Sequence, residues 1–215
     1  MTLTKQIAKY IHPVLKKLGF VKVKHYWRLE NEGFYFVAAV GSRKHGEIED
    51  VLDFGLGVFS VEIEELYGVR YALESPMSDM PGGIPLCHFV SSLYQLDENL
   101  NWDEKQGNYR FFLRDADVSE EFLAISEKLN ILLPRFIKTF SSVEKLVECH
   151  QRRIGAWWMS TQSKLYAATG CIILGRYDEA EKLIESAIKL GSAPIMKETA
   201  VRFRAIIRER RASPN

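Results

Sequence analysis

The chain has little cysteine: Cys87, Cys149 and Cys171 are the three it carries in 215 residues. A sparse, odd set far apart in sequence is no disulfide framework, and it fits a reducing compartment where thiols stay free. There is no apolar run near the ~20 residues that would span a bilayer. The opening residues, Met1 to Gln6, lack the long apolar core of a secretion signal. An excess of one charge is also missing, since 29 basic and 28 acidic residues leave +1. No net field therefore draws in nucleic acid or an anionic membrane. These absences lead to the expectation of a cytoplasmic protein with neither a membrane nor a nucleic acid as partner.

What is present is ordinary for a globular chain, with 47% hydrophobic and 27% charged residues. A chain of this size buries a substantial core without a metal or disulfide staple. Leu3, Ile7, Ile11, Val14, Leu15 and Leu18 recur at helical spacing, Gly19 follows as a stop, and Pro13 should bend or split the helix near His12. Val21 to Leu29 and Phe34 to Val40 read as a hairpin around Glu30-Asn31-Glu32-Gly33. A polar loop, Ser42 to Asp50, then precedes a strand from Val51 to Ile63. Gly55 and Gly57 within it suggest a bulge or a close backbone approach. They are not a phosphate loop, because no helix pattern opens directly behind them and no Lys-Ser/Thr follows.

Tyr67 to Pro85 has no periodicity and reads as a loop. Leu86 to Leu93 and Tyr109 to Leu113 are further strands. From Val118 onward the pattern is helical, with a cap at Ser119, an interruption at Pro134, and a new helix opened by Ser141 or Ser142. The expected class is α+β: an antiparallel sheet of about five strands, with the first helix and the helix from Val118 packed on one face.

Residues 151–215 form a separate unit in this reading. Lys164 to Pro194 carries Ala167-Ala168, Gly175, Tyr177, Asp178-Glu179-Ala180, Ala187-Ile188 and Pro194. Small residues where antiparallel helices approach, a glycine at the turn and Tyr177 in the wedge resemble a tetratricopeptide repeat, a 34-residue helix-turn-helix unit. Ile195 to Arg210 would be a capping helix. A lone repeat cannot bury its own apolar faces. It should therefore dock on the body or on another protomer, through Trp157 or Trp158 and the face around Ile172, Ile173 and Ile184.

The body, residues 1–150, carries Leu15-Lys16-Lys17-Leu18-Gly19-Phe20, Tyr26-Trp27-Arg28 and Asp53-Phe54-Gly55-Leu56-Gly57-Val58. Cys87-His88-Phe89 follows, with Trp102 downstream, then Leu133-Pro134 and Ser142-Val143-Glu144. In this order the motifs resemble the 4304 family of bacterial domains of unknown function, over about residues 3 to 150. Members tend to carry an arginine shortly after the Cys-His pair, where this chain has Ser91 and Ser92. The resemblance implies a fold and a bacterial cytoplasmic setting, and no activity.

Candidate chemistry is thin. Cys87-His88 and Cys149-His150 lack zinc spacing, and neighbours on a strand face opposite ways. Cys87 with His25 or His45 could form a nucleophile pair, but no motif surrounds it. Glu47, Glu49, Asp50 and Asp53, with Glu62, Glu64 and Glu65, would bind a divalent cation if they shared a strand face; they more simply solvate one. Arg202, Arg204, Arg208, Arg210 and Arg211 suggest RNA, or more simply a solvated terminal helix.

The expected role is a protein-interaction module of an immunity-like or regulatory kind, with a protein partner or self-association, and with no cofactor and no metal implied. Trp157, Trp158 and Tyr177 are the candidate contact residues, one tryptophan packing inside and the other free to anchor an interface. The alternative is an enzyme whose pocket lies between the sheet and the 67–85 loop, built from Cys87, His88, Asp53 and Trp102, with His88 or His25 as acid-base.

Overall fold

A computed structural model describes residues 2–23, 26–68, 89–97, 99–101, 103, 105–107, 109–113, 116–153, 161–190 and 194–212. The chain opens with one continuous helical stretch: α1 (Leu3–Gln6), a π-helical turn (Ile7–Ile11) and α2 (His12–Lys17). The expected division near His12 takes the form of a change of hydrogen-bonding pattern, from the π turn to α2, and the chain stays helical through Pro13. Leu3, Ile7, Ile11, Val14 and Leu15 are buried along one stripe.

The described residues build one antiparallel sheet in the order β1 (Val21–Val23), β2 (Tyr26–Asn31), β3 (Phe34–His45), β4 (Glu49–Ser60), β5 (Phe89–Ser92). A sixth strand, β6 (Tyr109–Leu113), shares with β5 the same edge of β4. An antiparallel α+β architecture is thus present, with three local departures from the sequence reading.

The run from Val21 to Leu29 is not one strand. β1 folds back on β2, with Val21 opposite Arg28 and Val23 opposite Tyr26. Ser42 to Asp50 is not a loop either. β3 and β4 pair without interruption from Phe34–Ser60 to His45–Glu49. Lys44 faces Asp50 across the ladder, an opposite-charge pair that holds polar strand ends together. Gly46, at φ +62°, closes the hairpin. The register also runs straight through Gly55 and Gly57, with no bulge.

The third departure is α3 (Val61–Tyr67), where a strand to Ile63 is expected. The Ser60 hydroxyl accepts from the Ile63 N–H at 3.4 Å, Glu62 and Glu64 occupy the first turn, and Gly68 stops the helix at φ +70°. Cap, acids and stop together outweigh the β preference of Val61 and Ile63.

α4 (Ser119–Thr139) runs through Pro134, with Leu129, Leu132, Leu133 and Phe136 buried on both sides of it. One lost hydrogen bond is offset by packing. Its start is held by Asp117, which accepts from the Ser119 N–H at 3.1 Å and hydroxyl at 2.7 Å, so Ser119 is held rather than capping. α5 (Val143–Gln151) is capped by Ser142, whose oxygen accepts from the Lys145 N–H. α4 and the first helix cover the sheet face formed by Phe36, Leu52, Phe54, Leu56 and Val58. Phe136 meets Phe36 edge-on at 6.0 Å, and Phe122 lies 5.9 Å from Phe112. The opposite face buries Val37 and Phe59, with Tyr35 stacked 4.9 Å from Phe59.

The C-terminal helices are α6 (Thr161–Ile173), α7 (Tyr177–Lys189) and α8 (Pro194–Ala212). Gly175, at φ +71°, makes the turn between α6 and α7. Ala168 and Ala180 are fully buried where the two helices pack. α6 also lies on α3 and α5. At Gly170 a Cβ would stand 2.6 Å from Val147 Cγ2 and 3.3 Å from Val143 Cγ1. Tyr67 of α3 touches Tyr166 at 4.6 Å and Phe203 of α8 at 5.8 Å. Ile172 and Ile184 are buried in the same apolar cluster that begins at Leu3, and Ile173 is partly buried against it.

Candidate functional site

Cys87, His88 and Trp102 lie outside the described residues, as do His25, Trp157, Trp158 and the loop beyond Gly68. Of the proposed pocket, Asp53 remains. It sits mid-strand on β4, opposite Gly41 of β3 and Tyr109 of β6. Arg43 lies diagonally across on the same face. Burial pushes the Asp53 carboxyl above the ordinary carboxylate value, and Arg43 pulls it partly back.

Nearby, where β5 leaves β4, Tyr94 follows in a 3₁₀ turn (Leu93–Gln95). The Arg110 guanidinium lies 4.6 Å from its ring centroid. The Tyr94 hydroxyl and Gln95 Oε1 are buried without a hydrogen-bond partner among the described residues. Burial raises the Tyr94 phenol well above its usual range, so it stays protonated and can only donate or accept a hydrogen bond.

The remaining candidates are placed by ordinary packing. Cys149 and Cys171 are buried, and burial pushes their thiols up to about 12 and about 11. Such thiols are poor nucleophiles and poor metal ligands at neutral pH. Among the described residues no group of three His, Cys, Asp or Glu is placed to hold a metal ion. His12 lies against Trp27 at 5.1 Å and His45 against Phe111 at 5.1 Å. Glu62, Glu64 and Glu65 stand on α3, not on a strand, and Glu64 is buried. They cannot share a strand face with Asp53.

The basic cluster on α8 is spent largely inside the protein. Arg202 donates to the Tyr67 carbonyl at the end of α3, and Arg210 to the Ile172 carbonyl at 3.2 Å. Arg211 pairs with Asp178 and Glu181 of α7, and its guanidinium lies 5.9 Å from the Tyr177 ring. These arginines tie α8 to its neighbours. Tyr177 is therefore half-buried within the tail.

One surface was not singled out from the sequence. β6 pairs with β4 on one side, and no described strand pairs with its other side. Phe111 and Leu113 project from it at 54% and 61% exposure, beside Ile48 at 68% in the β3–β4 turn. Phe112, between them, turns inward against Phe122. Three consecutive apolar residues in a strand must place at least one on each face. Only tertiary structure tells whether the second face is covered.

Among the described residues no helix is long and apolar enough to cross a membrane. Comparison of the chain with protein-family models, with curated proteins and with solved structures gives no match in any of the three.

Proposed function

We propose that this chain is a cytoplasmic protein-interaction module, immunity-like or regulatory in kind, that takes an extended segment of a partner protein along β6. The observation that carries this reading is the edge of β6 that pairs with no described strand, with Phe111, Leu113 and Ile48 exposed beside it. An open strand edge offers a row of backbone donors and acceptors, and alternate side chains supply specificity. Exposed apolar residues grouped at such an edge mark an interaction surface. A complementary strand is apolar where it meets Phe111 and Leu113.

The test is photocrosslinking from position 113 in the native cell, followed by reconstitution with the captured protein. Burying Phe111 at an interface is worth about 1.5–3 kcal/mol, so Phe111→Asp should weaken the reconstituted complex by roughly ten- to a hundred-fold or more. Backbone amides of residues 109–113 should exchange more slowly in the complex. Equal binding by Phe111→Asp and Leu113→Asp, or unchanged exchange, refutes the reading. Absence of any stoichiometric partner, with turnover in a metabolite screen that Asp53→Asn abolishes, favours the enzyme reading instead. The half-buried Asp53 carboxyl is what speaks for that alternative.

A further inference from the structure

The first helical stretch and β1 carry a one-sided charge that the balanced total of the chain conceals. Residues 2–23 contain five lysines, Lys5, Lys9, Lys16, Lys17 and Lys22, and no Asp, Glu or Arg. We propose that this lysine face holds the protein, by charge, against the anionic surface of a lipid bilayer.

The π turn sets the geometry. It slows the rotation of the helix, so exposure recurs about every four residues, at Lys5, Ala8, Lys9, Pro13, Lys16 and Lys17. Leu3, Ile7, Ile11, Val14 and Leu15 meanwhile stay buried. The helical lysines therefore lie along one side, over roughly 17 Å. β1 extends the face. Lys22 is opposite Trp27, whose ring lies 5.1 Å from His12, so Lys22 stands beside the middle of the helix. Burial and the Lys22 charge hold the His12 imidazole below its ordinary value, so His12 adds little charge at neutral pH.

The charge count excludes what a carboxylate meets. Lys9 lies over the Tyr10 ring at 4.7 Å and near Asp117, with Glu120 and Glu121 following in the first turn of α4. It is not counted. Glu30 accepts from the Tyr35 hydroxyl on the other face of the sheet. Glu32, in the β2–β3 turn, pairs with none of these lysines. Among the described residues Lys5, Lys16, Lys17 and Lys22 have no hydrogen bond or ion pair, and all four are exposed. Four positive charges remain.

The side chains present select the partner. The exposed positions of this face have no arginine and no aromatic ring, the residues that anchor protein interfaces, where lysine is depleted. They offer no ring for a base to stack on, and no Arg, Asn or Gln for bidentate base contacts. Lysine, a strongly hydrated point charge, suits a diffuse anionic plane such as lipid headgroups. The apolar stripe of the helix is buried in the core, so the helix stays with the body instead of inserting, and attachment is electrostatic. β1 and β6 stand at opposite edges of the sheet, so this face and the β6 surface do not overlap.

The test is co-sedimentation of the full chain with phosphatidylcholine vesicles that contain or lack phosphatidylserine, at constant ionic strength. One lysine near an anionic leaflet raises partitioning about fivefold, so four raise it roughly several hundredfold. The protein should sediment with the phosphatidylserine vesicles, stay in solution with the neutral ones, and be released by high salt. Lys16→Gln/Lys17→Gln should weaken binding at least about tenfold, while Lys16→Arg/Lys17→Arg should bind as the parent does. Lys189→Gln/Lys197→Gln removes the same charge from α7 and α8 and should bind nearly as the parent does. No sedimentation with anionic vesicles, equal sedimentation with neutral ones, or full binding by Lys16→Gln/Lys17→Gln overturns the proposal. Tighter binding to a double-stranded DNA oligonucleotide at the same salt and phosphate concentration also overturns it, and assigns the face to nucleic acid. No β6 partner enters the assay, so the two surfaces stand or fall separately.

Discussion

Gly170→Ala tests how the C-terminal helices are seated on the sheet body. Gly170 lies within α6, where alanine is ordinarily preferred to glycine by about 1 kcal/mol. An isolated helix would therefore be stabilised. Here the added methyl stands 2.6 Å from Val147 Cγ2 and 3.3 Å from Val143 Cγ1, with Ile63 Cδ1 at 3.8 Å beyond. Val147 is 1% exposed and β-branched, so it has no free rotamer to retreat into. Overpacking of this kind costs about 1–3 kcal/mol, and a clash against a stiff neighbour belongs at the upper end. Subtracting the propensity gain leaves a destabilisation of about 2 kcal/mol, which for a chain of this length lowers Tm by roughly 4–8 °C. Urea unfolding followed by circular dichroism measures it. The control is Val147→Ala, which costs stability alone but makes room for the new methyl. The double variant should be at least ~1 kcal/mol more stable than the sum of the two single effects. A Gly170→Ala protein as stable as the parent, or strict additivity, would refute the close approach of α6 to α5.

Two further outcomes follow from burial. Cys149 and Cys171, with thiols pushed to about 12 and about 11 against an ordinary 9.0, should resist iodoacetamide at pH 8 in the folded protein and label fully in denaturant, as read by peptide mass spectrometry. Because burial raises these pKa values in the folded state, the stability they contribute is complete below pH 9 and is lost as pH rises from there toward 12. Asp53→Asn should stabilise the protein at pH 7. The native carboxyl is raised above 3.8, so its contribution is present at low pH and is lost as pH climbs through the folded value; the variant should lose that part of the acid-side slope in a Tm-against-pH series.

Periodicity and local stops are short-range signals, and they were readable in the chain. The Leu3–Leu15 stripe, the Asn31–Phe34 turn, Ser142 as a cap, and the glycine turn between small-residue helices at Ala168 and Ala180 all depend on neighbours within a few residues. The antiparallel α+β class followed from them. What the sequence could not decide was anything set by a distant partner. Polar Ser42 to Asp50 reads as a loop until Lys44 is opposite Asp50. Val61 to Tyr67 has local signals of both kinds, β-branched Val61 and Ile63 against the Ser60 cap, the acids of the first turn and Gly68, and the helix prevails. Gly170 looks like a weak point in a helix until Val147 stands across from it. The arginines of α8 look like a nucleic-acid surface until carbonyls of α3 and α6 and carboxylates of α7 accept from them. The surface features share that origin. Phe111 and Leu113 are exposed because β6 pairs with a described strand on one side only. Arg135, Lys138 and Lys145 come to line one cleft because α4 ends where α5 begins, against the Asn99 turn. Local sequence fixes which way a segment folds; exposure and charge convergence are sums over segments that only packing brings within reach of one another.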